Sequence, residues 1–248
     1  MFDREAFDKE KEQDIQNARS DPKLMQKGLD FLIHADKYKY GYYWTWMGLP
    51  IIQMPEDIVL TQEILWETRP DFIIEAGVAW GGSLAMYAAF QELQGYGHVF
   101  GIDLTIPPHN REAIMSLPVS HRISLIEGSS SDPEIFKKIS EQIPPNSNVM
   151  LVLDSNHTHE HVLAELRLWS PLLQKGNYII VSDTVIEKIP NQEHRKRPWG
   201  PGNNPMTATL EFLAEDSRFT SHNTYSERCI TSFNPSGYLV CHISAVNE

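Results

Sequence analysis

The spacing of apolar residues changes character near residue 55. Before it, residues 2–18 are charged at most positions and read as a solvated helix, and residues 22–35 form an amphipathic one. In the second segment Leu24, Met25, Leu29, Phe31, Leu32 and Ile33 fall near helical spacing. A dense aromatic stretch follows, Tyr38, Tyr40, Tyr42, Tyr43, Trp44 and Trp46, ending in Met47-Gly48-Leu49-Pro50. Such density fits a buried packing surface, a cap over a ligand pocket, or a contact between copies of the chain. The expected division is an extension over residues 1–55 and a second unit over 56–248.

From residue 56 helical periodicity alternates with short apolar runs. Helices are expected at Glu56–Glu67, Gly82–Leu93, Asn110–Leu117, Pro133–Ile143, Glu160–Leu173 and Met206–Glu215. Strands are expected at Asp71–Ala76, His98–Ile102, Arg122–Glu127, Val149–Leu153 and Tyr178–Val181. Short apolar strands separated by helices imply parallel βαβ units covered on both faces. A polar loop spans 184–204. Two further strands, Phe219–Tyr225 and Tyr238–Ile243, have no helix expected between them and imply an antiparallel pair. The predicted fold is α/β: a Rossmann-like, doubly wound, seven-stranded sheet, mostly parallel with an antiparallel C-terminal strand, plus an N-terminal helical extension.

In such sheets ligands bind beyond the carboxyl ends of the strands, and the residues that carry chemistry follow the strands here. The first turn reads Glu75-Ala76-Gly77-Val78-Ala79-Trp80-Gly81-Gly82-Ser83 and runs into a helix. Gly77 and Gly81 suit a tight turn close to a ligand. Ser83 can cap the helix or bond a carboxylate, and Glu75 needs a partner if it is buried. Asp103 ends the second strand, 26 residues after Gly77, where an acid can accept from a ribose diol or cap a helix. In the third turn Asp132-Pro133 reads as a helix cap, and Ser129 and Ser130 can reach an adenine edge. Together these turns point to an adenosine-type ligand.

The fourth and fifth turns bring acids. Asp154 and Asp183 follow neighbouring strands, which lie about 4.8 Å apart, so both carboxylates should enter one cleft. Like charges so placed need a proton or cation between them. Hard oxygen ligands suit magnesium or another hard divalent ion, which can lower the pKa of a substrate hydroxyl. His157, three residues past Asp154, is placed to take that hydroxyl's proton, though a structural or metal role, or a place in a solvated loop, is also open. His159 and His161 read as solvated or helix-capping.

Composition narrows the partners. The 248 residues are 41% hydrophobic and 22% charged, with a formal charge of −12. That sign disfavours nucleic acid. No apolar run nears the ~20 residues of a membrane span, and the N-terminus lacks a signal-peptide core. Cys229 and Cys241 have neither disulfide-framework nor metal-ligand spacing. A cytoplasmic protein acting on small molecules, as a homo-oligomer, is expected. His194-Arg195-Lys196-Arg197 stands against the overall charge, as a solvated loop or a basic lid over substrate.

The motifs together, Glu-x-Gly-x-x-x-Gly-Gly-Ser, Gly-Ile-Asp, Leu-Asp-Ser-x-His-Thr-x-x-His-Val-Leu-x-Glu-Leu and Val-x-Asp-Thr, resemble the cephalosporin hydroxylase / rhamnosyl O-methyltransferase family. So do the upstream Trp46-x-Gly-x-Pro-Ile-Ile-Gln53-x-Pro55-Glu56-Asp57 and the downstream Gly200-Pro201-Gly202-Asn203-Asn204-Pro205. The resemblance covers roughly residues 40–215. It implies a class I methyltransferase fold, S-adenosylmethionine as methyl donor, magnesium at the sheet's carboxyl edge, and a hydroxylated small-molecule acceptor such as a sugar. Gln53 then joins Glu75, Gly77, Gly81, Ser83, Asp103, Ser129, Ser130 and Asp154 around the donor. Asp154 and His157 become the catalytic pair, and Asp154, Asp183 and Ser182 the metal end. Ser182 stands where related antibiotic-sugar O-methyltransferases carry a glutamate, and Glu187 in the following loop could compensate for its charge. The alternatives are a non-catalytic donor-binding subunit or scaffold and, against the glycine spacing, an NAD-dependent dehydrogenase.

Overall fold

The computed structural model describes residues 3–243. The first position of the helix expected over 2–18, and the last five residues of the unit expected to end at 248, lie outside them. Helix α1 (Arg4–Arg19) starts where the Asp3 carboxylate accepts from Ala6 N–H, and it buries no residue, as its charged sequence requires. Helix α2 (Pro22–Asp36) is capped by Asp21 and buries Gly28 and Leu32. Leu32 packs with Met54 and Val185, against Tyr40 and Phe233. The second helix therefore rests on connecting segments around the sheet, not on the sheet.

The aromatic stretch folds in part as a hairpin, β1 (Trp44–Trp46) and β2 (Leu49–Ile51). Met47 and Gly48 between them both have positive φ, 49° and 84°, as a two-residue hairpin turn needs. Met in place of Asn hides that turn from the sequence. Trp44 and Trp46 pack on the core, whereas Tyr38 and Tyr43 are exposed. The stretch is thus divided between packing and surface.

Helix α3 (Pro55–Thr68) leads to β3 (Phe72–Ala76), α4 (Gly82–Gln94), β4 (His98–Asp103), α5 (Pro108–Met115), β5 (Ile123–Glu127), α6 (Pro133–Ser140) and β6 (Val149–Leu153). Then come α7 (His159–Trp169), β7 (Tyr178–Val181), α8 (Pro205–Glu215), β8 (Phe219–Ser221), α9 (Asn223–Ser226) and β9 (Tyr238–Cys241). The seven-stranded sheet runs β5-β4-β3-β6-β7-β9-β8, with β9 antiparallel to both neighbours. This is the predicted doubly wound architecture. One apolar layer holds Leu60, Ile64, Leu84 and Tyr87 of α3 and α4 on one face, and a second holds Val162, Leu166, Trp169 and Phe212 of α7 and α8 on the other. No helix among the described residues is long and apolar enough to cross a membrane.

The structure shortens several predicted elements, among them the helix expected over Pro133–Ile143, which ends at Ser140. The strand expected over Phe219–Tyr225 ends at Ser221, because its partner β9 begins only at Tyr238, whose carbonyl takes the last ladder hydrogen bond, from His222 N–H at 2.7 Å. The chain turns into α9 instead, placing Tyr225 against Tyr178 and Tyr238. The final strand stops at Cys241. The helix expected to reach Leu173 ends at Trp169, where Pro171 continues it only as a 3-10 turn, Ser170–Leu172. The loop expected at 184–204 opens with another 3-10 turn, Thr184–Lys188.

Candidate functional site

Strand order reverses at β3, which has β4 on one side and β6 on the other. The crevice beyond those strands is the place this topology reserves for a ligand. The turns leaving the strands are locked side by side: Asp154 N–H donates to Ala76 O, Gly77 N–H to Ile102 O and Ser182 N–H to Leu153 O, at 2.8, 2.8 and 2.9 Å. Gly77 has φ 98°, and a Cβ there would stand 2.1 Å from the Asp154 carbonyl oxygen. Only glycine lets the first and fourth turns approach so closely.

Above them lies a cleft of about 710 Å³, a volume suited to a small molecule. Gln53, Gly77, Ser83, Asp154, His157 and Asp183 all line it, so six of the expected residues meet in one space. Its rim carries Tyr40 and Tyr42 before the hairpin, and Arg195, Lys196, Arg197 and Trp199 from the later loop. The remaining expected residues sit elsewhere. Asp103 Oδ2 takes the N–H groups of Val78 and Ala79 at 2.9 and 3.2 Å, so this acid also shapes the glycine turn. Ser129 bonds Ser131, and buried Ser130 donates to Glu165. Gly81 begins α4 in the left-handed region.

Asp154, His157 and Asp183 form the group of carboxylate and imidazole ligand atoms, all within 4.8 Å of one another, that stands out among the described residues. His157 Nε2 lies 3.3 Å from Asp183 Oδ2. Trp199 meets the imidazole edge-on, with ring centroids 4.8 Å apart. Asp183 has φ 60°, uncommon for a residue other than glycine, and its N–H donates to Asn234 Oδ1 at 2.9 Å. That strained bend, braced from the turn before β9, brings the carboxylate to the cleft. Burial of the carboxyl group, with the like charges of Asp183 and Glu75, pushes Asp154 well above the ordinary carboxylate range. The two carboxylates held this way suit a hard divalent cation, with the imidazole beside it.

The donor end has its own unfilled demand. Glu75 is buried; it accepts from Ser83 Oγ at 2.9 Å, and Tyr87 bonds both it and Gln53. Even so, Glu75 Oε1 and Gln53 Oε1 are buried without a donor among the described residues. The ammonium of an amino-acid ligand is the kind of group that satisfies such a corner. Burial raises the Glu75 carboxyl to about 8. Between an unfolded value near 4.5 and about 8 the folded chain keeps a proton that the unfolded chain has lost, so this group's contribution falls as pH rises through that window. Above it the empty fold carries a buried charge. Glu75→Gln should therefore unfold at a higher temperature than the parent at about pH 9, with little gap at about pH 5, measured by calorimetry on ligand-free protein.

Three expectations need correction. Glu187 does not reach the acid cluster: its Oε2 accepts from Gly202 N–H and Asn204 Nδ2, which fixes the later loop onto α8. Ser182 is buried beneath β7's end and is not among the residues lining the cleft. His159 and His161 are half-buried and partnered, not free in solvent. His159 ties α7 to α8 through Thr207 and Glu211, while His161 joins Glu165, Ser130 and Ser155 in a network below the cleft. Trp199, Tyr87 and Asn234 went unread, since nothing in their local sequence marks a neighbour so distant.

Comparison with known proteins places these features in context. The family model described as Rhamnosyl O-methyltransferase/CmcI matches residues 38–241. A rhamnosyl O-methyltransferase of Mycobacterium tuberculosis (strain H37Rv) is 31% identical over 217 residues, covering 83% of this chain and 84% of that protein. The rhamnosyl O-methyltransferase of Mycobacterium leprae (strain TN) is 30% identical over 176 residues, 63% of this chain and 70% of that protein. Among solved structures, CmcI-N160 in its apo form aligns with a TM-score of 0.57 at 24% identity, covering 82% of this chain and 78% of that one. CmcI-D160 with Mg and SAM aligns at 0.56 and 22% identity, over 81% and 77%. At those identities the structural likeness speaks for the fold.

Proposed function

The chain belongs to the rhamnosyl O-methyltransferase/CmcI family, and from that premise we propose that it is an S-adenosylmethionine-dependent, magnesium-assisted O-methyltransferase acting on a hydroxyl of a sugar or another small polyhydroxylated molecule. The observation that carries this reading is the meeting of Asp154, His157 and Asp183 in the cleft that Gly77 and Ser83 also line.

When bound, S-adenosylmethionine would supply the methyl group and magnesium the positive charge that lowers the acceptor hydroxyl's pKa. Gln53, Glu75, Gly77 and Ser83 hold the donor's amino-acid end, and Asp103 keeps the glycine turn shaped around it, its Oδ2 on Val78 and Ala79 N–H. Gly81, Ser129 and Ser130 complete the donor side as supports of the turns that carry it. Asp154 and Asp183 hold the cation, and Ser182 sets the start of the bend that presents Asp183. His157 takes the hydroxyl proton at Nε2, the nitrogen that faces the acid cluster. Trp199 fixes the imidazole and keeps water from one side of it. Residues 1–55 act as the cap and 56–248 as the donor-binding unit, with exposed Tyr38 and Tyr43 as the surface for homo-oligomer formation. The setting is the cytoplasm.

Calorimetry with S-adenosylmethionine, with and without magnesium, and transfer of labelled methyl from it to a panel of rhamnosides and other glycosides test this. Donor binding with magnesium-dependent labelling is the expected result. Binding without labelling of any acceptor would favour a non-catalytic donor-binding subunit, and binding of NAD in its place would overturn the reading.

A further inference from the structure

The loop over the cleft carries an unspent positive charge. In a chain of net charge −12, three successive cations, Arg195, Lys196 and Arg197, line the same cavity as the acid cluster. Their roles differ. Arg195 is fixed: Nη1 bonds Asp36 at 2.9 Å and its guanidinium lies over the Tyr42 ring at 5.4 Å. This contact pins the loop to α2 and across the cleft mouth. Lys196 and Arg197 have no carboxylate partner among the described residues. Every arginine in the chain other than Arg69 and Arg197 is paired with an acid, so the absence is unusual for this protein.

Arg197 is nonetheless held. Its guanidinium lies 5.2 Å from the Trp199 ring centroid, and that indole is the one that meets His157. A cation over an indole keeps its N–H donors free at the edge of the plane. One aromatic ring therefore connects an unpaired guanidinium with the imidazole placed to take the acceptor's proton. The acids in the cavity do not neutralise it: Asp36 is taken by Arg195 and His194, Asp154 and Asp183 face each other and His157, and Glu193 makes no ion pair with either free cation.

We propose that the acceptor is anionic, and that Arg197 and Lys196 bind its oxyanion, a carboxylate or phosphoryl group, while the hydroxyl to be methylated lies at His157. This rests on the methyltransferase reading and narrows its acceptor from any hydroxylated molecule to an acidic one. A guanidinium stacked on a ring offers a two-point contact for such a group, and the basic loop draws an anion into a protein that otherwise repels it.

The test uses the full chain loaded with S-adenosylhomocysteine and magnesium. It is titrated with methyl glucoside, methyl glucuronoside and methyl glucoside 6-phosphate, which differ in charge more than in shape. At least one anionic probe should bind about tenfold or more tightly than the neutral one at low salt. In the Lys196→Gln/Arg197→Gln protein, checked for an unchanged unfolding midpoint, that gap should close. A gap for the phosphate alone supports a phosphoryl acceptor, and a gap for both supports oxyanions in general. Equal affinities for the three probes, or a gap that survives the double substitution, overturns the proposal. Failure of S-adenosylhomocysteine itself to bind would instead overturn the methyltransferase reading, and this inference with it.

Discussion

His157→Ala should lose about 10²–10⁴ in the rate of methyl transfer while binding the donor as tightly as the parent protein. The imidazole is placed for this single task. It stands 3.3 Å from Asp183 Oδ2, is held edge-on by Trp199, and makes no hydrogen bond or ion pair with Gln53, Glu75 or Ser83 among the described residues. Removing it takes away the proton acceptor and leaves Asp154 and Asp183 in place. Single-turnover kinetics and donor calorimetry on the same preparation check both halves. An unchanged rate would remove the base role, and a loss of donor affinity of the same size would make the residue structural.

Asp154→Asn should divide stability from function. The carboxyl is pushed well above its ordinary range by burial and by the charges of Asp183 and Glu75, so ionising it in the empty protein is costly. Asparagine keeps the shape without the charge, and the ligand-free variant should unfold at the same temperature as the parent or higher. Metal affinity should drop by at least about 100-fold, since even residues that only support metal ligands cost 10–100-fold when lost. Metal-dependent transfer should go with it. Thermal unfolding with and without added magnesium separates the two effects: the parent gains stability with the ion, the variant does not.

Much of this was readable in the sequence, for definite reasons. The alternation of apolar runs with helical periodicity identified the doubly wound sheet, because strands covered on both faces have no polar side. Glycines and acids at strand ends stood out because topology assigns ligands to those turns, and Gly77, Asp154 and Asp183 meet there. The Met47-Gly48 hairpin was hidden because its left-handed position carries Met. Glu187 was misplaced because loop residues lack periodicity, and only the folded chain shows Gly202 and Asn204 claiming it. His159 was misread for a related reason, since its partner Thr207 lies 48 residues away, whereas the bond of His161 to Glu165, one helical turn on, has a local signature. Asp103 was marked for a ligand, and in the structure it also holds the glycine turn. Long-range partnership has no local signature.

The account depends on Asp154 and Asp183 sharing one cation next to the donor. A crystal grown with manganese and S-adenosylhomocysteine measures this directly through anomalous scattering. The predicted result is one peak about 2.0–2.3 Å from a carboxylate oxygen of each aspartate, with the nucleoside's amino-acid end at Gly77 and Ser83. A peak bound by neither aspartate, or a nucleoside seated away from the glycine turn, would contradict it.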